Sequence, residues 1–211
     1  MSPAHVRRIF EQLRSANPNP QSELHYHSPF ELLVAVILSA QATDKSVNLA
    51  TRELFRKART PQAMLKLGLA GLKRYIRTIG LYNTKAQNIR ATCRLLVQRF
   101  QGRVPQARDE LESLPGVGRK TASVVLNVAF GQPTLAVDTH VFRVANRTGL
   151  ARGANPRAVE DGLLRVVPKE FMPNAHHWLI LHGRYVCTAR APDCPHCSIA
   201  RWCEYEDKTP P

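Results

Sequence analysis

Apolar residues recur at three- and four-residue spacing along most of the chain, the period of helices packed by one face. Val6, Ile9, Phe10 and Leu13 share such a face, which predicts a helix over residues 3–16. Asn17-Pro18-Asn19-Pro20 ends it and reads as a linker and a first domain boundary. Ser28-Pro29-Phe30-Glu31 starts the next helix, with Ser as N-cap, Pro in the first turn and Glu three positions after the cap. The stretch FELLVAVILSAQ is apolar nearly all round, so this helix is expected to be the buried spine of a domain. Gln41-Ala42-Thr43-Asp44 breaks the run, and Thr43 caps a more polar helix that reaches about Lys57. Thr60-Pro61, Gly68, Gly71 and Gly80 punctuate short helices between residues 61 and 79. From Lys85 to Phe100 a longer helix turns Ile89, Cys93, Leu96 and Phe100 inward.

The centre of the chain pairs two helical patterns across Pro115-Gly116-Val117-Gly118. Leu111 and Leu114 lie on one face, and Pro115 cannot continue their helix. Gly116 and Gly118 permit positive φ and let a backbone approach another molecule closely. The second helix is expected from about Arg119 to Phe130, with Val124, Val125, Val128 and Ala129 as its apolar positions and Gly131 as its stop. Asp138 reads as the N-cap of a helix carrying Val141, Val144 and Ala145. Val159, Leu163, Leu164 and Val167 mark a helix near 157–167, closed by Pro168, and Trp178 to Leu181 lie on a last one. No alternating stretch is long enough for a sheet, so the fold class is all-α.

Composition adds a partner. The 211 residues, 44% of them hydrophobic, can fill one large or two small cores. The formal net charge of +14, from 30 Lys and Arg against 16 Asp and Glu, favours a polyanion. An anionic membrane is the competing surface, but no long basic helix with an aromatic face stands out. The N-terminal residues have no apolar core of a signal peptide, and the run from Leu32 to Ala40 is too short to span a bilayer. A soluble protein of the cytoplasm is expected, a compartment in which five cysteines do not form a disulfide framework.

The chemistry sits in three places. A glycine turn that opens a helix presents free backbone N–H groups at the positive end of the helix dipole, a site for phosphate; a tight corner with no ligand has the same sequence. Lys120 stands in the first turn of that helix, where the dipole opposes a cation by roughly 0.3–1 kcal/mol. Arg119 adds like-charge repulsion, so Lys120 is a candidate amine nucleophile, with a simple phosphate contact as the plainer role. The capping carboxylate of Asp138 could also serve as base or stabilise a developing cation. Cys187, Cys194, Cys197 and Cys203 follow C-x6-C-x2-C-x5-C, a metal site. Zinc and iron–sulfur clusters both accept four thiolates, and the spacing by itself leans to zinc. Cys93, on an apolar face, reads as a buried thiol. His176, His177 and His182 lack the spacing of a helical metal pair and read as structural or DNA-proximal.

LPGVGRKTA followed by VDTH resembles the helix–hairpin–helix DNA glycosylases, and closely the endonuclease III family, and the likeness runs through nearly the whole chain. The resemblance implies two domains: a six-helix domain at 22–132 with the hairpin motif at about 108–130, and a discontinuous helical domain from 1–21 and 133–211 that carries a [4Fe–4S] loop, with the active site between them. It implies that Gly116, Val117, Gly118 and Arg119 hold a DNA phosphate, that Lys120 attacks C1′ of a damaged nucleotide, and that Asp138 assists. Gln41, and Leu81 in the turn Gly80-Leu81-Tyr82-Asn83, would push into the duplex where the nucleotide is extruded. Ser39, Asp44 and Glu112 would line the pocket. The cysteine spacing at this position matches the family's cluster loop, which turns the metal reading from zinc to [4Fe–4S]. Between Cys187 and Cys194 only Arg190 is cationic and Asp193 is anionic, a departure from a basic loop for which Arg184 and Arg201 would compensate. The implied function is a bifunctional DNA glycosylase and AP lyase of base excision repair, acting as a monomer in the nucleoid. Its substrate is double-stranded DNA with oxidised pyrimidines or abasic sites. The related mismatch adenine glycosylases typically lack the lysine. A non-catalytic DNA-binding protein would use the hairpin alone.

Overall fold

The computed structural model describes residues 1–210. Among them are ten α-helices, two short 3-10 segments and no strand. The chain forms two compact units, one from Ser22 to Gly131 and one that joins Met1–Gln21 to the chain from Gln132 onward.

The Ser22–Gly131 unit is built on α2 (Pro29–Ser39), in which every residue from Phe30 to Leu38 is buried. The Ser28 hydroxyl accepts from the Glu31 N–H at 3.1 Å. The Glu31 carboxylate, itself buried, accepts from the His27 N–H at 2.7 Å and faces Arg59 Nε at 3.6 Å, which satisfies a charge that would otherwise be costly inside a core. Helices α3 (Asp44–Lys57), α5 (Tyr82–Phe100) and α7 (Arg119–Phe130) pack on this spine. α4 (Pro61–Ile76) packs on α3 and α5, and α6 (Arg108–Glu112) on α7.

Three details differ from the periodicity. The short helices expected at 61–79 are one element broken at Gly68, whose φ of 74° and ψ of 171° are non-helical. α5 begins at Tyr82 rather than Lys85, after a left-handed Leu81 that supplies no side-chain cap. α7 buries Ala122, Ser123, Val125, Leu126 and Asn127, whereas Val124, Val128 and Ala129 are half-buried. The inward stripe includes two polar residues that an apolar count passes over. Cys93 is fully buried on α5, and burial pushes its thiol up to about 12.

The other unit consists of α1 (Pro3–Ala16), α8 (Thr139–Thr148), α9 (Pro156–Val166) and α10 (Met172–Tyr185). α8 packs against α9 and α10, and α1 against α10. Phe10 stacks on Phe171 with centroids 5.7 Å apart, and Trp178 donates from Nε1 to the Asn17 carbonyl at 2.8 Å, which ties α10 to the end of α1. Gly183 brings α10 close to α8: a Cβ there would lie 2.9 Å from His140 Cβ. His176, His177 and His182 are buried on α10, and His176 Nδ1 donates to the Ala136 carbonyl at 3.0 Å, a structural role. Leu164, expected inward, is exposed. Among the described residues no helix is long and apolar enough to cross a membrane.

Candidate functional site

The hairpin between α6 and α7 is built on a turn at Leu114–Val117, closed by the Val117 N–H donating to the Leu114 carbonyl at 3.0 Å. Gly116 has φ +80°, and a Cβ there would lie 3.0 Å from Asn88 Cβ, so both conformation and space disfavour a side chain. Proline at the second position and glycine at the third are what a type II turn selects. The Pro115 carbonyl accepts from the buried Thr92 hydroxyl of α5 at 2.8 Å, and Val117 is buried in the core beneath. Gly118 uses only part of the freedom expected of it. Its φ of −95° and ψ of 179° are open to any residue, and no atom lies within 4 Å of a Cβ built there. The N-cap of α7 is Gly118 itself, which has no side chain to cap the helix and is exposed at its start. Lys120, in that first turn, is exposed, and its amine makes no hydrogen bond or ion pair among the described residues.

A second turn lies at the end of α2. The Ala42 N–H donates to the Ser39 carbonyl at 3.1 Å, Ala40 has φ −57° and ψ 116°, and Gln41 has φ 54°. This is also a type II turn, with glutamine where glycine is the rule. Leu81, at the head of α5, has φ 58° and is 63% exposed. Two of the three non-glycine residues with positive φ among the described residues are thus the two expected at the duplex. The two turns are neighbours: a Cβ on Gly80 would lie 3.9 Å from the Gln41 carbonyl. Lys85 of α5, 5% exposed, joins them. Its ammonium donates to the Leu38 carbonyl at 2.9 Å and the Ala40 carbonyl at 2.5 Å, and its own N–H donates to the Leu81 carbonyl at 3.0 Å. Burial lowers the Lys85 pKa from its ordinary 10.5. Neither Lys85 nor Thr92 was singled out from the sequence. Both fall in register with the inward residues Ile89, Cys93 and Leu96, and a polar residue on such a stripe was the available signal.

The residues expected to line a pocket lie on the same unit. Ser39 donates to the Val36 carbonyl at 2.9 Å, Asp44 opens α3, and Glu112 ends α6 with Arg108 Nη1 at 3.5 Å. Arg108 also donates to the buried Ser123 hydroxyl at 2.9 Å, which fixes α6 against α7.

In the other unit Asp138 caps α8 with one oxygen. Oδ1 accepts from the His140 N–H at 2.9 Å and the Val141 N–H at 2.8 Å. Its second oxygen has no partner among the described residues, so the carboxylate is oriented by the cap and keeps one acceptor unused.

Cys187, Cys194, Cys197 and Cys203 line one pocket that opens to solvent, with Ile199 and Val186 as apolar wall. Burial raises the Cys197 and Cys203 thiols above the usual cysteine range, and the neighbouring thiols push the same way, a repulsion that a bound cationic centre would reverse. Among the described residues no three His, Cys, Asp or Glu side chains converge on the position of a single metal ion. Tetrahedral zinc at a Zn–S distance of about 2.3 Å needs its sulfurs roughly 3.8 Å apart. Four thiols lining one pocket are a donor set that a cluster with one thiolate per iron also takes. Sequence reading missed the two arginines that hold this loop. Arg143 donates to the Cys187 carbonyl at 2.9 Å and the Gly183 carbonyl at 2.7 Å. Arg147, one turn on, donates to the Thr188 carbonyl at 2.6 Å, the Ala189 carbonyl at 2.8 Å and Cys187 Sγ at 3.6 Å. The α8 helix that Asp138 caps is thereby bolted to the cysteine loop.

Known proteins resemble this chain along most of its length. The family model of the HhH-GPD superfamily base excision DNA repair proteins matches residues 34–169. Endonuclease III of Haemophilus influenzae is 62% identical over 200 residues, covering 95% of each chain. Endonuclease III of Escherichia coli strain K12 is 60% identical over 208 residues, 99% of each. The solved structure of a trapped endonuclease III–DNA covalent intermediate superposes with a TM-score of 0.90 at 46% identity, covering 96% of each chain.

Proposed function

The chain belongs to the endonuclease III family of helix–hairpin–helix base excision DNA repair proteins and is a bifunctional glycosylase and lyase; from that premise we propose that Lys120 is its nucleophile. The observation that carries the reading is the register of α7. The helix opens on the exposed glycine Gly118, which supplies no side-chain cap and leaves room for close approach, and Lys120 stands in the first turn. A phosphate of double-stranded DNA held at the Gly116–Arg119 segment, whose Val117 N–H is kept by the turn itself, brings the adjoining sugar to the amine.

The amine lone pair forms a bond to C1′ and the damaged base leaves with the electrons of the glycosidic bond. The free oxygen of Asp138 supports the positive charge that develops at C1′. Opening of the sugar gives an imine to Lys120. Loss of a C2′ proton then expels the 3′ phosphate and cuts the strand 3′ to the abasic site. The substrate class is oxidised pyrimidines in duplex DNA, together with abasic sites. Gln41 and Leu81 occupy the space that the extruded nucleotide leaves in the stack. Ser22–Gly131 and the remainder of the chain act as its two domains. The four cysteines hold a [4Fe–4S] cluster whose part is structural, tying Cys187–Cys203 to α8. The protein works as a monomer on the nucleoid.

Duplexes that each contain one defined lesion, assayed separately for base release and strand cleavage, test the reading. With borohydride present, the native protein is expected to form a covalent adduct on lesion and abasic duplexes. Lys120→Gln should bind the same duplexes, release base on the order of 10³-fold more slowly or worse, and form no adduct. Lys120→Arg should fail alike, because a guanidinium stays protonated. An adduct formed by Lys120→Gln at the native rate would move the chemistry to another amine. Iron and sulfide analysis tests the cluster: four of each per chain are expected, whereas an active, colourless protein with one zinc refutes it.

A further inference from the structure

A type II turn differs from the commoner type I turn by a flip of its central peptide, which reverses its carbonyl and carries the third residue to positive φ. In the Ser39–Ala42 turn that central carbonyl is Ala40's, and the Lys85 ammonium holds it at 2.5 Å. The same ammonium holds the last-turn Leu38 carbonyl of α2, the negative end of that helix, at 2.9 Å. Gln41 follows with φ 54°, a conformation that a side chain makes unfavourable and that persists only where surroundings impose it. Nothing in the turn's own sequence, Ser-Ala-Gln-Ala, asks for it.

We propose that Lys85 is a positioning residue whose ammonium selects the flipped turn and thereby aims Gln41 toward the duplex, in register with Leu81. The inference rests on the reading of Gln41 and Leu81 as duplex contacts. With no charged donor on the Ala40 carbonyl, the turn relaxes to type I, Gln41 moves to negative φ, and its side chain leaves through a different direction. Leu81 is affected less, because the backbone N–H of residue 85 still holds its carbonyl.

Lys85→Met keeps the apolar stem and removes the donor. Its crystal structure should show Gln41 at negative φ. Single-turnover base release from a lesion duplex should slow roughly tenfold, the scale of one charge-assisted hydrogen bond. Cleavage of a duplex with a ready-made abasic site, which has no base to extrude, should slow less, and binding to undamaged duplex should hold. Combining Lys85→Met with Gln41→Ala should cost no more than Gln41→Ala alone, because both remove the same aimed side chain. If Lys85→Met lacks a cooperative unfolding transition, Lys85→Gln, a neutral donor, carries the same measurements with a smaller fall. Gln41 remaining at positive φ in the variant, or losses that add in the double variant, overturns the inference. Base release by Gln41→Ala at the native rate overturns the duplex reading of Gln41, and the inference with it.

Discussion

The Ser39–Ala42 turn and the Leu114–Val117 turn share a backbone and differ in the residue that bears its strain. Both close with an N–H of the fourth residue on the carbonyl of the first, at 3.1 and 3.0 Å, and both carry positive φ at the third position. In both, the carbonyl of the second residue is held by a side chain of α5, Lys85 in one and Thr92 in the other, seven residues apart on one buried face. At the hairpin the third residue is Gly116, preceded by Pro115, so the turn is specified locally and Thr92 only adds to it. At the other turn the third residue is Gln41, preceded by Ala40, and the local sequence leaves the conformation to Lys85. The difference follows from which part of the chain is used. Where backbone amides are the instrument, glycine relieves the strain and gives up no working side chain. Where a side chain is the instrument, glycine is unusable, and a distant charged group must impose the strained φ.

The largest effect is expected from breaking the hairpin turn. Gly116→Val meets both the positive φ and Asn88, and should lower stability by about 1–3 kcal/mol. Binding to damaged and undamaged duplexes should weaken alike, measured by titration at fixed salt. Gly118→Ala separates conformation from contact: it has no strain and open space, so its melting temperature should hold while DNA binding falls. Unchanged binding by Gly118→Ala would remove the close phosphate approach from the reading.

Putting glycine into the other turn inverts the outcome. Gln41→Gly relieves a strain of about 1 kcal/mol or more, against about 0.4–1 kcal/mol of extra unfolded-chain entropy. Denaturant unfolding should therefore find stability held or slightly raised. Base release should nevertheless slow on the order of tenfold or more, because extrusion of a base costs a few kcal/mol and the supporting side chain is gone. A variant that is both more stable and fully active would mean that the strain serves nothing.

These contrasts also mark how far the sequence could be read. Helices are local, so the three- and four-residue periodicity placed α1, α2, α3 and the end of α5 within a residue or two, and the all-α class with them. Pro115-Gly116 announced its own turn. For Gly116 and Gly118 the sequence offered positive φ and close approach together, and did not distinguish the glycine that takes positive φ from the one set in open space. The α5 clamps were not legible, since Lys85 reaches carbonyls 45 and 47 residues away. Arg143 and Arg147 reach the cysteine loop across 40 residues or more. No periodicity reports a side chain bonded to a distant carbonyl. On α7 the buried Ser123 and Asn127 shifted the stripe away from Val124 and Val128, because polar groups with partners pack inward as readily as apolar ones.

A smaller effect is expected from Thr92→Val. It removes the bond to the Pro115 carbonyl in a turn that Pro-Gly already specifies. The cost should be about 1 kcal/mol in denaturant unfolding, with Gly116 still at positive φ and lesion processing close to native. Loss of the hairpin conformation in this variant would erase the distinction between a locally specified turn and an imposed one, and Lys85 would no longer be special.

The smallest effect is a difference in how the two turns respond to alkali. Burial lowers the Lys85 pKa below 10.5, whereas the Thr92 hydroxyl does not titrate in this range. As pH rises past the lowered value, the folded protein releases the Lys85 proton while the unfolded chain keeps it until about 10.5. Between the two values the unfolded state binds more protons, so the contribution of this residue to global stability rises with pH. Locally the sign is opposite. The neutral amine holds the Ala40 carbonyl less strongly than the ammonium, and the selection of positive φ at Gln41 weakens. Amide resonances followed by NMR on the alkaline side of neutrality should therefore move at Gln41 and Ala42 before they move at Gly116 and Val117. In Lys85→Met the Gln41 profile should be flat over the same range. Titration of both turns together in the native protein would assign the change to general loosening of the unit, and the separate control of the two turns by α5 would fail.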